Sequence, residues 1–218
     1  MCLSGCGKPA KPSDCGGVLP CSDDAAGQTV YSKNLIIKGD KAFRAKAQKD
    51  LDDLKATKTG KSILDAIAAG RHPVTIEDLP KKQAQDYGGL CKPDDDAAAR
   101  DPKKGSPATV SYSPDYSGDQ YTDQNGNSVD HPAKAYLGHE LIHAVHDSQG
   151  TNAADKPDPK EPGSNQEESR TIGINDHAGE PMSENNLLKE LGYDYTRDNH
   201  DMSAHSNAKP APAGGGKP

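Results

Sequence analysis

Apolar residues recur with a helical period in two adjoining segments near residue 50. In the first segment the apolar positions are spaced by four, four and three residues: Phe43, Ala47, Leu51 and Leu54. In the second they share one helical face just before Gly70: Ile63, Leu64, Ile67 and Ala68. Such spacing is typical of amphipathic helices, and glycine commonly ends them. The pattern therefore predicts a pair of helices.

Three other segments are rich in the β-branched and aromatic residues that favour strands. TVYSKNLIIKG, residues 29–39, predicts one strand or a bent pair of strands, and VTIED, residues 74–78, predicts a short one. ATVSYSP, residues 108–114, alternates as a half-buried strand does, and its proline ends it. The charged residues 92–106 between the last two are expected to form a loop.

The second half of the chain predicts three more helices. The first begins near Pro132, with Asp130 as its N-cap, and runs through LGHELIHAVHD to Gly150. NQEESRTIG predicts a second short helix, and SENNLLKELG predicts a third that begins at Ser183 and ends at Gly192. Helices and strands together predict an α+β fold with a short mixed sheet.

Composition limits the folded part of the chain to one modest domain. Only 32% of the 218 residues are hydrophobic, with no Trp and a single Phe. Residues 1–27 and 206–218 are rich in Gly, Pro and small polar residues and lack periodicity, which predicts a disordered leader and a disordered tail. The folded domain is expected over residues 28–205.

Charge and hydropathy argue against two classes of partner. The formal net charge is −7 and no Lys/Arg cluster is interleaved with aromatic residues, so nucleic acid is not expected. No apolar run approaches the ~18 residues of a membrane-spanning helix. Four of the five cysteines fall in the first 21 residues, in a spacing that matches no paired zinc motif, and they are interpreted as free thiols.

The stretch LGHELIHAVHD carries the strongest chemical signal in the chain. On a helix His139 and His143 lie about 40° and one turn apart, so both imidazoles reach the same metal ion. Glu140 can approach a water on that ion. This is the H-E-x-x-H pattern, in which two histidines hold Zn²⁺ and the glutamate acts as general base. The competing interpretation is a core helix with solvent-facing histidines.

His146 falls near the same helical face, seven residues after His139. That separation is about 10 Å along the helix axis, too far for one shared ion on a regular helix. His146 is therefore interpreted as a group that supports a ligand or the fold.

A catalytic zinc usually has three protein ligands, so a third must come from downstream. The candidates have acidic or imidazole side chains: Glu167, Glu168, Asp176, His177, His200 and His205. Glu168 is favoured because it lies on a predicted helix soon after the first, and its carboxylate suits a His2Glu set. Asn165 followed by Glu168 is also a helix-capping pattern, so the spacing alone leaves both interpretations open.

The segments HELIHAVHD, EESRTIGI and SENNLLKELGYDYTRDNH, together with the strand TVSYSP, resemble the NleD-like effector zinc metallopeptidases. Pathogenic bacteria inject these small proteins into host cells by type III secretion. The resemblance covers roughly residues 40–200, and the chain is similar in length and layout to the HopH-type members. EESRTIG is also similar to a segment of clostridial neurotoxin light chains whose second glutamate completes a zinc site.

The resemblance implies a small zincin-like metallopeptidase fold with an active-site H-E-x-x-H helix. ATVSYS is expected to be the edge strand along which a peptide substrate pairs its backbone. The cofactor implied is Zn²⁺, with Glu168 joining the two histidines as the third ligand, while a shift of that role to Glu167 stays open.

The same resemblance implies roles for residues near the end of the domain. Neurotoxin light chains use an Arg and Tyr pair to stabilise the oxyanion, which implies Arg197 and Tyr195 in that role here. Glu184 and Asn185 are expected to orient a ligand or the helix that carries Glu168. His177, His200 and His205 are expected to be solvated.

The function implied is a secreted zinc endopeptidase that acts on host signalling proteins, with mitogen-activated protein kinases as the family's substrates. Type III secretion into the host cell, residues 1–27 as a secretion leader, a secretion chaperone and a monomeric state are expected with it. One alternative is a non-catalytic effector that uses the fold to dock onto host proteins, and another is a metallopeptidase toxin against competing bacteria. Glu140 favours catalysis, because a docking module has no need of a general base.

Overall fold

The structure is a computed structural model that describes residues 27–80, 83, 88–116, 120–122 and 128–198. The predicted leader, apart from Gly27, and the predicted tail lie outside the described residues, as do His200 and His205. Within the described part of the chain no helix is both long and apolar enough to cross a membrane.

Five strands form a mixed sheet in the order β1-β2-β3-β5-β4. Their bounds are β1 Gln28–Ser32, β2 Leu35–Lys38, β3 Val74–Asp78, β4 Gly89–Pro93 and β5 Ala108–Tyr112. β1 and β2 are antiparallel, β2, β3 and β5 run parallel, and β4 returns antiparallel to β5. Residues 29–39 thus form the bent pair of strands, and the predicted α+β class with a short mixed sheet is confirmed.

Among the described residues, five α-helices accompany the sheet, each close to a predicted helix. They are α1 Lys41–Lys55, α2 Lys58–Ala69, α3 Ala133–Gln149, α4 Gln166–Ile172 and α5 Glu184–Glu190. Shorter elements are the strand pair β6 Gln120–Thr122 and β7 Ser128–Asp130, and two 3-10 turns, Ala98–Arg100 and Asn175–His177.

The start of α3 corrects one prediction. Asp130 pairs with Gln120 in the small β6 and β7 ladder, so it is strand and not the N-cap of the helix. The N-cap is Pro132, which offers no side-chain hydrogen bond, and α3 begins at the next residue. The fixed φ of proline favours this position at a helix start without any polar cap.

α3 lies inside the domain. The helices pack on the face of the sheet that carries the apolar side chains of the central strands: Leu35, Ile37, Val74, Ile76, Ala108, Val110 and Tyr112. Every residue of α3 from 135 to 148 is buried, including its histidines and acids. Burying such groups is costly unless they are paired, so the rest of the fold must supply partners for them.

A second prediction is wrong at the sheet edge. Residues 108–112 form β5, which lies between β3 and β4 and is an interior strand. The edge beside α3 is β4, Gly89–Pro93, whose last two residues were expected to be loop. GGLCKP shows neither alternation nor β-branched residues, so the sequence pattern does not reveal this strand; pairing with β5 creates it.

Gly150 ends α3 with φ 72°, and a Cβ there would lie 2.0 Å from the carbonyl oxygen of Asp101. Gly150→Ala should therefore add a backbone clash to the ~1 kcal/mol cost of a left-handed alanine and lower the unfolding free energy by more than about 2 kcal/mol. The matched control is Gly163→Ala, where φ is 94° and nothing lies within 4 Å of the added Cβ. Thermal denaturation would measure both, and equal losses would contradict the close approach to Asp101.

Candidate metal centre

α3 places the first two predicted ligands on one side of one helical turn. The Nε2 atoms of His139 and His143 lie 3.0 Å apart, with the rings nearly perpendicular. Apolar neighbours on the same helix, Leu141 and Ile142, are fully buried and fix its rotation in the core. The histidines therefore face one another across a small gap and are not solvent-facing.

α4 brings Glu168 to the same gap. Its Oε2 lies 3.3 Å from the Nε2 of His139 and 3.3 Å from the Nε2 of His143. The helix-capping interpretation holds as well, because the backbone N–H of Glu168 donates to the side chain of Asn165 over 3.0 Å. Cap and ligand geometry use different atoms of Glu168, so the two interpretations do not compete.

The three facing atoms suit a tetrahedral metal ion. Zinc bonds of about 2.0–2.1 Å in tetrahedral geometry put ligand atoms about 3.3 Å apart. The separations of 3.0, 3.3 and 3.3 Å match that spacing, and two imidazole nitrogens with one carboxylate oxygen are a common zinc donor set. Among the described residues, these three form the group of potential metal-ligand side chains whose ligand atoms all lie within 4.8 Å of one another.

Glu167 and His146 lie behind His143. Glu167 Oε1 accepts from His143 Nδ1 at 2.9 Å and from His146 Nδ1 at 2.6 Å, while its Oε2 accepts from the backbone of Ala153 at 3.0 Å. Held at Nδ1 in this way, His143 directs its Nε2 atom at the gap. Glu167 and Glu168 thus take different positions, one behind a histidine and one beside both.

α5 supplies the corresponding partner for His139. The Oε2 of Glu184 accepts from His139 Nδ1 at 2.7 Å and from an Arg197 guanidinium nitrogen at 2.9 Å, and its Oε1 lies 3.2 Å from His131 Nε2. All four side chains are buried. Asn185 ties the same segment down through two hydrogen bonds with the backbone of Arg197.

His131 is a site residue that the sequence reasoning missed. It precedes α3 and belongs to no recognised motif, and its partners Glu184 and Tyr195 lie more than 50 residues away. The available signal was indirect: Glu184 was expected to orient a ligand, and a buried carboxylate usually gathers several donors.

The structure gives Tyr195 and Arg197 partners other than those predicted. The Tyr195 hydroxyl lies 3.0 Å from His131 Nδ1, and Arg197 binds Glu184 on the Nδ1 side of His139, away from the Nε2 gap. Among the described residues that line the cavity at the gap, neither appears. In this placement both residues contact the groups that support His139, and their oxyanion role stays a prediction.

The charges of the site oppose the effect of burial. Burial raises the pKa of the Glu168 carboxyl, but the charges and hydrogen bonds of His143 and His139 outweigh it and lower that pKa below its usual range. For the imidazole of His139, burial alone would lower the pKa, because it disfavours the charged form. Hydrogen bonds to Glu168 and Glu184 outweigh this effect and raise that pKa to about 9. The carboxylates thus stay ionised and favour a cation in the gap.

Glu140 stands apart from these ion pairs. Burial raises the pKa of its carboxyl above the usual value, against the charges of His139 and His143 and a hydrogen bond from the backbone of Cys91. A carboxyl with a raised pKa that is adjacent to a metal site is suited to accept and return a proton.

A cavity of about 380 Å³ opens onto the three facing atoms. Its walls come from β4, α3, α4 and the segment around the 3-10 turn at Ala98–Arg100. The residues that line it are Gly89, Leu90, Cys91, Lys92, Pro93, Asp96, Arg100, His139, Glu140, His143, Asp147, Asn152, Ala154, Glu167 and Glu168. Strand β4 therefore forms one wall of the cleft and the ligand helices form the other.

A family model, Peptidase_M91, described as "Effector protein", matches residues 32–207. No curated protein sequence matches the chain. Among solved structures, the light chain protease of botulinum neurotoxin serotype C1 aligns at 11% identity and a TM-score of 0.46, over 59% of this chain and 49% of its own. The catalytic domain of Clostridium botulinum neurotoxin serotype F aligns at 20% identity and 0.47, over 68% and 47%. This chain thus spans about half the length of those proteins.

The two adjacent glutamates are expected to differ in their effect on metal binding. Glu168→Gln replaces an ionised oxygen that faces both Nε2 atoms, and it should weaken zinc affinity by more than about 100-fold. Glu167→Gln alters the hydrogen bond that orients His143 and should weaken zinc affinity about 10-fold, as is typical for substitution of a residue that supports a metal ligand. Competition with a chromophoric chelator measures both affinities. A larger loss for Glu167→Gln would assign the ligand role to Glu167.

Tyr195→Phe separates the predicted oxyanion role from the contact with His131. Removing the hydroxyl leaves a buried imidazole nitrogen without that partner and should lower the unfolding free energy by about 1 kcal/mol, or the melting temperature by about 2–4 °C. Turnover of any peptide that the protein cleaves should change less than about threefold. A fall of about 100-fold in kcat at an unchanged melting temperature would instead support the predicted role of Tyr195 in stabilising the oxyanion.

Proposed function

The chain belongs to the Peptidase_M91 family of effector proteins, and from this membership we propose that it is a zinc endopeptidase that hydrolyses peptide bonds in host proteins. The observation that carries the proposal is the triangle of His139 Nε2, His143 Nε2 and Glu168 Oε2, with sides of 3.0, 3.3 and 3.3 Å. Glu140 lines the same cavity beside that triangle. Metal-binding atoms and a general base in one cleft are the parts that metal-assisted hydrolysis requires.

Zinc held in the triangle would lower the pKa of a bound water and polarise a substrate carbonyl. The residues of the chain then have separate tasks. Glu184 and Glu167 keep the Nδ1–H of each histidine occupied, so that both Nε2 lone pairs are available to the ion.

Glu140 carries the proton through the reaction. Its carboxylate takes a proton from the attacking water as the C–O bond forms at the carbonyl carbon. It then returns that proton to the amide nitrogen as the C–N bond breaks, so that one water is consumed and a carboxylic acid and an amine are released, which ionise to a carboxylate and an ammonium group. The raised pKa of Glu140 favours the first step, because it makes the carboxylate a stronger base toward the attacking water. The leaving nitrogen becomes more basic as the C–N bond breaks, and it therefore takes the proton from Glu140.

Strand β4 is proposed as the strand along which the substrate lies. Its inner edge pairs with β5, and its outer edge borders the cleft with no strand partner among the described residues. An extended peptide can add to such an edge through main-chain hydrogen bonds, which favours a polypeptide substrate over a compact small molecule. The sequence predicted that residues 108–112 would pair with the substrate, but those residues form an interior strand, so β4 is proposed for that role.

The host-directed part of the proposal rests on the family. Effector proteins act on host targets, and the resemblance to NleD-like members favours type III secretion and mitogen-activated protein kinases as substrates. The net charge of −7 would favour association with a basic target surface. Substrate choice depends on contacts beyond the metal-binding residues.

The decisive variant is Glu140→Gln. It keeps the shape of the side chain and removes its basicity, so zinc content should stay at that of the parent, while peptide-bond cleavage should fall by about 10²–10⁴-fold. Cleavage would be measured as new peptide amino termini in host-cell extract, with zinc determined by elemental analysis. Purified mitogen-activated protein kinases would be tested as separate substrates.

Two outcomes would overturn the proposal. If Glu140→Gln keeps its zinc and cleaves at the parental rate, the general-base role is wrong. If the parent protein binds zinc and retains a host kinase but creates no new amino termini, the non-catalytic docking function replaces proteolysis.

A further inference from the structure

Gly88, which precedes β4, and Gly89, its first residue, lie unusually close to one side of α3. A Cβ added to Gly89 would lie 2.8 Å from Cγ, 3.1 Å from Oε1 and 3.4 Å from Cδ of Glu140. A Cβ added to Gly88 would lie 2.6 Å from the ring of Tyr136 and 2.7 Å from the ring of Tyr116. Tyr136 and Glu140 are four residues apart and share one face of α3. The Gly-Gly pair therefore lets that face approach the strand backbone directly.

Backbone conformation does not explain the glycine at position 89. The residue lies in a regular strand opposite Tyr112 and is not among the residues with positive φ. Alanine can adopt that backbone without strain. Glycine is therefore required at position 89 because a larger side chain would enter the space that Glu140 occupies.

The strand backbone also acts on the carboxyl of Glu140. The backbone of Cys91 favours the ionised form and so lowers the pKa of that carboxyl, against the larger effect of burial. β4 in turn is fixed by five register pairs with β5, an interior strand of the sheet. The wall against which Glu140 rests is therefore rigid, and the side chain is held between that wall and the helix that carries it.

We propose that Gly89 is a positioning residue: by lacking a side chain, it sets how far the carboxylate of Glu140 extends along the cleft. The inference rests on the proposed function for its kinetic part, and on geometry alone for its structural part. A methyl group at position 89 has to displace Glu140, because the strand backbone is fixed and the glutamate side chain is the softer of the two. Displacement of a catalytic group by about 1 Å can slow a reaction about 100-fold.

The test compares Gly89→Ala with Gly179→Ala. Gly179 is exposed, has no positive φ and would have nothing within 4 Å of the added Cβ, so its variant should match the parent in every measurement. For Gly89→Ala we expect kcat to fall about 10–100-fold, with KM within threefold and with zinc content and melting temperature close to the parent. The substrate is a synthetic peptide containing the bond that the parent cleaves fastest in host-cell extract.

A paired variant distinguishes displacement of Glu140 from general damage to the cleft. Glu140→Asp shortens the side chain and withdraws it from residue 89. Adding Gly89→Ala to Glu140→Asp should therefore slow the residual activity by less than about threefold. An equal slowing in both backgrounds would show that the methyl group acts on something other than Glu140.

Crystal structures of the zinc-loaded parent and of Gly89→Ala give a readout that does not depend on activity. The carboxylate of Glu140 should move away from residue 89 while His139, His143 and Glu168 superimpose. A Glu140 that keeps its position, or a kcat equal to the parent's, would overturn the inference while leaving the proposed proteolysis intact. A parent that cleaves no peptide would instead overturn the proposed function, and the displacement of Glu140 would still decide the structural part.

Discussion

The structure depends on the burial of a helix that carries charged and polar groups. α3 is enclosed over residues 135–148, so each of its imidazoles and acids must find a partner inside the protein. Two carboxylates from other helices meet that requirement for the three imidazoles, Glu167 for His143 and His146 and Glu184 for His139. Removal of either would leave a buried group without its partner, which is among the more damaging changes a core can undergo. Stability and metal geometry therefore rest on the same contacts.

Two short helices, α4 and α5, carry these carboxylates to the histidines of α3. α4 and α5 have seven residues each and would be unstable alone in water. Each begins with a side-chain cap, Asn165 and Ser183, and each delivers its glutamate in the first turn. Arg197 and His131 then surround Glu184, and they complete a buried network that holds one histidine from behind.

The other wall of the cleft is built on a different principle. β4 and the residue before it bring backbone and the glycines at positions 88 and 89 against α3. One side of the cleft thus fixes the candidate metal-binding atoms through ion pairs, and the other approaches Glu140 closely.

The sequence by itself determined whatever depends on near neighbours in the chain. The period of α1 and α2, the caps at Asn165 and Ser183, and the facing of His139 and His143 all follow from local geometry. Only the tertiary structure decided that β4 is the edge, that Glu168 and not Glu167 faces the gap, and that His131 supports Glu184. Those outcomes depend on pairings between residues that lie 15 to 53 positions apart in the chain, and neither motif spacing nor residue propensity predicts such contacts.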